Sequence, residues 1–434
     1  MNEARDRAVR AAAEVVSLDA EKLVGGGRAI AHHDGATWMV DGALPGERVR
    51  AEVAKRRAGI VEARTLEVLS EPHPARSQDP CPQTAVCGGC DWPHVDPSRG
   101  AELKVAAAAE AARTIPELAA LIAAASIRQS SDGYRLRARL HWDPDRRLLG
   151  FYEHRSHRVA SIDSCRILTP RFMQTLPVLT AVLSDRCPEA VDLEWLEGTD
   201  LDDSVAALRP ARGGPAVIDP DWLPGASEMG SSVAGFHILS KSGRRQTGWG
   251  ATEVRIELPI PLDVPVGTFF QGNRHLILPL FERVAEIVGA DPSPVFDLHA
   301  GVGYLAAAAR FAGERELTLV ETNRDAALAA RLNLPGSRVV IGSTAEAFVA
   351  GSGDLEEDAI VITDPPRTGL SKDLRIGLAR WLPKRILMLG CDPATWARDA
   401  GFLGDHGYQP HVVELFDLFP STHHVEILAL LERA

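Results

Sequence analysis

Apolar and polar positions alternate in some stretches of the chain and cluster in others. In Glu47-Arg48-Val49-Arg50-Ala51-Glu52-Val53 charged and apolar side chains alternate, the period-two mark of a strand with one buried face, and Gly25-Gly26-Gly27 and Pro45-Gly46 supply turns before it. Residues 13–67 therefore read as short strands of a small β domain; small β-barrels are built this way, and some bind single-stranded nucleic acid. A proline-containing linker, Glu71-Pro72-His73-Pro74-Ala75-Arg76, follows. Gly100 to Ala125 is alanine-rich and helical in character, broken in two by Pro116. Strands return in Tyr134-Arg135-Leu136-Arg137-Ala138-Arg139-Leu140-His141-Trp142, which sets Arg135, Arg137 and Arg139 on one face, with 149–153 and 159–162 as partners. Pro188 to Gly250, rich in Pro, Gly and Asp, reads as turn-rich β structure without a motif.

From about Val254 the pattern changes. Val295-Phe296-Asp297 is an apolar strand followed by His299-Ala300-Gly301-Val302-Gly303 and an alanine-rich helix, and a second strand, Leu317–Val320, ends in Glu321, twenty-four positions beyond Asp297. Ile360–Thr363 ends in Asp364, and Leu387-Met388-Leu389-Gly390 runs into Cys391. Strand-length apolar runs separated by helical segments predict βαβ units and a parallel sheet. The expected fold class is α/β: a doubly wound, Rossmann-like C-terminal domain (254–434), an N-terminal OB-like β-barrel (1–68) and a central β-rich domain (69–253). The helical stretch at 100–125 is a candidate to pack against the C-terminal domain.

Composition places the chain among soluble globular proteins: 434 residues, 45% hydrophobic and 24% charged, with room for two or three cores. The charged start, Met1-Asn2-Glu3-Ala4-Arg5-Asp6-Arg7, with no long apolar run after it, argues against a secretory signal and a membrane span, so a cytoplasmic protein is expected. A net charge of −12 does not favour nucleic acid, but charge is unevenly placed: Arg128 to Arg158 holds eight arginines against four acids, and Arg48, Arg50, Lys55, Arg56 and Arg57 form a second basic cluster. Each cluster has a plainer reading as a solvated strand face.

Six cysteines in a chain of this length are no disulfide scaffold, and their spacing says more. Cys81, Cys87 and Cys90 sit in a loop that Gly88 and Gly89 let curl, and three close thiols want a fourth ligand; zinc and an iron–sulfur cluster both suit such a set. The strand, glycine turn and helix around Gly301 and Gly303 follow the grammar of nucleotide binding: the glycines admit a ligand to the backbone, and Glu321 closes the second strand where ribose hydroxyls would donate. Gly301-x-Gly303-x-x-Ala306 also satisfies the dinucleotide fingerprint. Asp297, at the strand end, would repel a pyrophosphate but suit a ligand ammonium group, which tilts the site toward S-adenosylmethionine. Cys391, presented by a buried strand on a proline turn, is a candidate nucleophile; taken alone it reads equally as a small buried hydrophobe.

Three segments change that balance. Asp364-Pro365-Pro366-Arg367, Cys391-Asp392-Pro393-Ala394-Thr395-Trp396-Ala397-Arg398-Asp399 and Asp417-Leu418-Phe419-Pro420-Ser421-Thr422-His423-His424-Val425-Glu426, in this order, resemble the signature of the RNA 5-methyluridine methyltransferases. The resemblance implies S-adenosylmethionine-dependent methylation of uridine C5, with Cys391 as nucleophile and Glu426 as base. Thr268-Phe269-Phe270-Gln271-Gly272-Asn273 resembles the family's Phe-Phe-Gln-x-Asn segment, so Gln271 carries over as a cofactor contact, with His299, Glu321 and Asp364 as further cofactor positions. The cysteine spacing, with Ser164-Cys165-Arg166, is similar to the [4Fe-4S] motif of the 23S rRNA uridine methyltransferases, which implies Cys81, Cys87, Cys90 and Cys165 as ligands and leaves Cys187 incidental. The N-terminal strands look like a TRAM domain, an RNA-binding module. RNA is the implied partner, 23S rRNA first and transfer RNA second, with no membrane and no obligate protein partner; a monomer is expected. The chain departs from the family at His299, usually aromatic, at Ala300, usually cysteine, and at Gly390-Cys391-Asp392-Pro393, usually Ser-Cys-Asn-Pro. An extra charge at Asp392 is expected to raise the pKa of the neighbouring thiol. The rivals are a catalytically silent RNA-binding protein and a nicotinamide-dependent oxidoreductase.

Overall fold

The alternating N-terminal stretch forms strands β1 (Val15–Asp19), β2 (Lys22–Val24), β3 (Arg28–His33), β4 (Ala36–Asp41), β5 (Arg48–Arg57) and β6 (Ile60–Val68), paired in the order β1-β5-β6-β4-β3-β2. In β5 Val49 and Ala51 are buried while Arg48 and Arg50 face solvent, as the alternation requires. The structure, a computed structural model, describes residues 14–200, 203–353 and 358–433; the charged start of the chain lies outside them.

The described residues divide into two units. The first takes the chain up to Pro80, Asp91–Ala125 and Ser421–His424; the second takes Cys81–Cys90, Ser126–Pro420 and the residues after His424. In the first unit Trp38, Val40, Val49 and Trp92 make the core of the six-stranded sheet. Helices α1 (Pro97–Ala111) and α2 (Pro116–Ala124) each begin on a proline, which tolerates the first helical turn because its missing N–H would have no partner there. The helical stretch, whose packing partner the sequence left open, lies on the N-terminal sheet: Leu103 joins that core, and Lys22 Nζ donates to Glu110 at 2.8 Å.

In the second unit a short strand, β7 (Ile127–Arg128), precedes β8 (Arg137–Asp143), β9 (Leu148–Gly150), β10 (Val191–Glu197), β11 (Ser204–Pro210), β12 (Gly235–Leu239) and β13 (Arg245–Gly250). β8 to β13 form one sheet in the order β13-β12-β11-β10-β8-β9. The partner expected at 159–162 reduces to a single bridge between Tyr152 and Val159. The region without a sequence motif thus supplies four strands of this sheet, β10 to β13, and every residue of β10 is buried. Three of those residues are acids, each met by a partner: Asp192 by His141 Nδ1 at 2.8 Å, Glu194 by Arg139 at 2.7 Å and Arg209 at 2.8 Å, and Glu197 by Trp195 Nε1 at 2.7 Å. The arginine face expected to meet RNA is therefore partly engaged within the protein, with Arg139 on Glu194 and Arg137 stacked over Phe269.

A hairpin, β14 (Glu253–Ile256) and β15 (Leu262–Pro265), leads to helix α3 (Ile277–Val288) and the C-terminal sheet. Its strands are β16 (Val295–Asp297), β17 (Leu317–Glu321), β18 (Arg338–Ile341), β19 (Ile360–Thr363), β20 (Arg385–Gly390), β21 (Tyr408–Phe416) and β22 (Glu426–Arg433), in the order β18-β17-β16-β19-β20-β22-β21-β7. β16 to β20 are parallel, and β22 runs antiparallel to both neighbours. Helices α4 (Tyr304–Ala312), α5 (Arg324–Asn333), α6 (Ala345–Gly351), α7 (Lys372–Trp381) and α8 (Pro393–Gly404) connect the parallel strands and lead out of the last, completing the doubly wound domain expected from the sequence. Among the described residues no helix is long and apolar enough to cross a membrane.

Candidate active site

Four apolar strands end along one edge of the C-terminal sheet, each at a polar group: β16 at Asp297, β17 at Glu321, β19 just before Asp364 and β20 just before Cys391. The chain proceeds from β16 to β17 and β18 on one side and returns to β19 on the other, so the crevice between β16 and β19 is the switch point at which such sheets take ligands. β22 approaches the same edge from the opposite direction. Gly390 is paired with Ile427, and the antiparallel register carried one step further sets Glu426 opposite Cys391. A cavity of about 500 Å³ opens here, lined by His299, Glu321, Thr344, Glu346 and Pro366 among others.

The turn after β16 needs its glycines: Gly301 and Gly303 adopt φ of +54° and +95°, and a Cβ on Gly303 would lie 3.0 Å from Leu334 Cδ1. Glu321 holds the turn, accepting the Gly301 N–H at 2.8 Å on Oε2 and the Asn323 N–H at 2.6 Å on Oε1. His299 Nδ1 lies 3.0 Å from Thr363 Oγ1, and burial lowers the pKa of the ring to about 4, leaving a neutral ring at pH 7. Asp297 is fully buried. Its Oδ1 accepts the His299 N–H at 3.3 Å, while Oδ2 has no hydrogen-bond partner among the described residues. Burial, with Asp364 and Glu321 nearby, pushes its pKa up to about 7.

Asp364 accepts from Gln271 Nε2 at 3.1 Å, and burial raises its pKa to about 6. Glu426 is 2% exposed, with Oε1 unpartnered among the described residues; burial and the Asp364 charge push its pKa well up, against the pull of the Gly390 amide. Burial, then Glu426 and Asp364, push the Cys391 thiol up to about 12, with Arg367 opposing them. A neutral thiol among carboxyl groups ionises by giving one of them its proton.

Asp392 does not have the part expected of it. Its carboxylate caps α8, accepting the Ala394 and Thr395 N–H groups at 3.1 and 2.9 Å, a helix N-terminus where negative charge is stabilised. The raised thiol traces to burial and the two acids across the site. Gly390 has a local cause too: a Cβ there would meet Trp396 Cδ1 at 2.8 Å.

Some positions were missed or underread in the sequence. Asn273 is fully buried, donates from Nδ2 to the Leu418 carbonyl at 3.0 Å and accepts the Leu276 N–H at 3.2 Å, fixing the segment that carries Gln271. The two neighbouring phenylalanines divide: Phe270 packs against Tyr304 in the core, and Phe269 is 61% exposed. Arg398 is structural, bonded to Asp399 and to the Thr368 and Leu370 carbonyls.

The four candidate ligand cysteines share the second unit. Cys87, Cys90 and Cys165 border one hydrophobic core, and each feels the charge of Cys81. Burial and then Cys165 push the Cys90 thiol up to about 12, and Arg135 opposes the shift. The Gly89 N–H approaches Cys87 Sγ at 3.4 Å, and the Leu168 and Ile167 amides favour ionised Cys165. A Cβ on Gly88 or Gly89 would lie 3.0 Å from the Tyr152 carbonyl or the Phe151 ring, so the loop tolerates little else at either glycine. Among the described residues no three of these sulfurs lie within 4.8 Å of one another. Four thiols, two of them receiving amide N–H groups, are a donor set that fits a cysteine-ligated cluster. Cys187 is 3% exposed in the same core, a plain apolar side chain.

Comparison with known proteins agrees with the edge just described. The chain is 33% identical to the 23S rRNA (uracil(1939)-C(5))-methyltransferase RlmD of Alkalilimnicola ehrlichii, over 94% of each chain. It is 31% identical to the RlmD of Pseudomonas putida, over 96% of this chain and 93% of that one. The family model described as tRNA (Uracil-5-)-methyltransferase matches residues 354–434, which hold Asp364, Cys391 and Glu426. In fold the chain is similar to the crystal structure of Pyrococcus abyssi tRNA (uracil-54, C5)-methyltransferase in complex with S-adenosyl-L-homocysteine, with a TM-score of 0.72 and 21% identity over 96% of this chain and 99% of that one. With a doubly wound domain and a near full-length likeness to such enzymes, the chain belongs to the RNA (uracil-C5) methyltransferase family and is an S-adenosylmethionine-dependent enzyme.

Proposed function

We propose that this enzyme methylates C5 of a uridine in structured RNA, 23S rRNA ahead of transfer RNA, through a transient bond between Cys391 and C6. The observation that carries the reading is the register of β20 and β22, which sets a buried carboxyl opposite a half-buried thiol. S-adenosylmethionine, when bound, supplies a methyl group on a cationic sulfur. Gly301 and Gly303 admit it to the backbone, Glu321 accepts from ribose hydroxyls, His299 packs as a neutral ring, and Asp297 offers its unpartnered oxygen to a ligand donor. Asp364, tied to Gln271, completes the site.

Uracil C5 is a poor nucleophile. Cys391 adds to C6, its proton passing to a neighbouring carboxylate, and the C5–C6 electron pair shifts toward O4, leaving C5 an enolate carbon able to take the methyl group. Glu426 then removes the C5 proton, and the C6–S bond breaks as the ring double bond returns and the thiolate leaves. Cys81, Cys87, Cys90 and Cys165 are proposed to hold a [4Fe-4S] cluster. The N-terminal sheet is proposed as a TRAM-like RNA-binding barrel, in which Arg56 lies over Trp38 at 5.5 Å. The enzyme is proposed to act as a cytoplasmic monomer.

The test is RNA carrying 5-fluorouridine, whose C5 fluorine cannot leave as a proton does. A covalent complex is expected with the wild type and S-adenosylmethionine, and none with Cys391→Ala; a complex that forms with the variant overturns the mechanism. Mass spectrometry of 5-methyluridine from cells with and without the protein tests the substrate: loss from 23S rRNA is expected, loss from transfer RNA alone moves the assignment to the second choice, and loss from neither overturns both. Anaerobic purification should give a brown, iron-containing protein, and a colourless one with stoichiometric zinc would overturn the cluster.

A further inference from the structure

One short segment joins the cysteine loop to the methylation site. Cys165 is followed directly by Arg166 and Ile167; the Ile167 carbonyl accepts the Arg135 N–H at 2.9 Å, and the Gly133 N–H donates to the Arg166 carbonyl at 2.7 Å. On its other side the same segment meets the stretch that carries Gln271. The Leu136 N–H donates to the Gly272 carbonyl at 2.9 Å, and the Arg274 N–H donates to the Tyr134 carbonyl at 3.0 Å. Arg135 is bridged both to Leu168 and to Asn273, so residues 133–136 lie between two other segments of the chain and are hydrogen-bonded to each. Peptide groups paired on both sides transmit a displacement with little slack.

The third connection is a side chain. Tyr134 is 1% exposed, and its hydroxyl donates to the Pro420 carbonyl at 3.2 Å. Pro420 lies six residues before Glu426. Asn273 holds the same stretch through the Leu418 carbonyl at 3.0 Å. A phenylalanine would fill the same apolar space, so packing alone does not call for a hydroxyl aimed at that loop.

We propose that Tyr134 is a positioning residue for the base, and that through it the loading of the four-cysteine loop is felt in the proton-removal half of the reaction. The second clause rests on the cluster assigned above; the first does not. The hydroxyl fixes the approach to Glu426, while Cys391 is delivered by β20 without it, so carbon–sulfur bond formation and proton removal should respond differently when it is removed.

Tyr134→Phe keeps the ring and removes one buried hydrogen bond. Turnover on unmodified RNA is expected to fall about threefold to tenfold, with KM for S-adenosylmethionine within about twofold of wild type. The rate of adduct formation on 5-fluorouridine RNA should be unchanged, and a methylated covalent intermediate should build up on ordinary RNA. Equal turnover, or adduct formation slowed in step with turnover, overturns the role of Tyr134. Stripping iron anaerobically from the wild type should raise hydrogen exchange at residues 415–419 and build up the same intermediate, and stripping it from Tyr134→Phe should add little to either. Full additivity overturns the coupling. A protein purified with no iron removes the cluster reading, and the variant's comparison with wild type still decides the part of Tyr134.

Discussion

Cys391 and Cys90 are both strand- or loop-borne thiols pushed up to about 12, burial being the first cause in each case, yet they are surrounded in opposite ways. Around Cys391 stand carboxyl groups, Glu426 and Asp364, which oppose a standing negative charge on sulfur. Around Cys90 stand other thiols and the guanidinium of Arg135, and amide N–H groups are donated to its neighbours Cys87 and Cys165. The first arrangement suits a thiol that ionises for the moment of attack and hands its proton to an acid beside it. The second suits thiolates held permanently ionised by a cation. Burial alone tells neither; the partners do.

Exchanging functions at the two sites is the harshest way to break this contrast. Cys391→Ala should lower methylation by at least about ten-thousandfold while leaving the iron content unchanged, whereas Cys90→Ser should lose the iron and still form the 5-fluorouridine adduct. Iron analysis beside gel-shift detection of the adduct reads both, and iron loss in Cys391→Ala would dissolve the distinction. Glu426→Gln sharpens the first half. It keeps the shape but cannot take a proton, so turnover should fall about a hundredfold to ten-thousandfold with the intermediate accumulating on ordinary RNA. A variant that turns over normally would move the base elsewhere.

Much of the Cys391 site was legible because each of its strands is a short apolar run stopped by a polar residue, and strand ends collect at one edge of a parallel sheet. The pairing that sets Glu426 opposite Cys391 was not legible from pattern, since an antiparallel register between residues 385–390 and 427–432 is fixed by long-range contact. Asp392 was misread for a related reason: a charge next to a thiol in sequence is turned away from it by the capping geometry of α8. The stretch from Pro188 to Gly250 stayed opaque because β10 buries Asp192, Glu194 and Glu197, and the partners that make this tolerable, such as His141, Arg139 and Thr169, lie far away in the chain. An acid at a buried strand position reads as a break in the pattern unless its partner is known.

The acidic character of the methylation site also makes a prediction about pH. Asp297 and Asp364, raised to about 7 and about 6, hold protons below those values and carry charge above them. A cationic ligand favours the charged forms, so affinity for S-adenosylmethionine should be full above about pH 7 and fall as pH drops through 7 and then 6, by up to about tenfold per unit for each proton. S-adenosylhomocysteine lacks the sulfonium charge but keeps the ammonium group, so the ratio of the two affinities isolates the part of the effect that the carboxylates exert on the sulfur. Calorimetry between pH 5 and 8 should show that ratio falling at least about tenfold toward the acid end. Parallel curves would mean that these carboxylates do not face the sulfur.

The smallest expected effect concerns why glycine precedes Cys391. A Cβ at Gly390 would come within 2.8 Å of Trp396 Cδ1 and 3.5 Å of its Cβ and Cγ, against an indole that is 2% exposed. A buried ring of that size has no free rotamer to retreat to, so Gly390→Ser should cost about 1–3 kcal/mol, read from the urea midpoint of the unfolding transition. Trp396→Leu opens the space at its own cost, and in that background the serine should be nearly neutral, giving a coupling of similar size in the double-mutant cycle. A serine equally costly in both backgrounds would place the constraint in the backbone of the turn instead, where the Gly390 amide faces Glu426, and would then appear as a loss of proton removal as well as of stability.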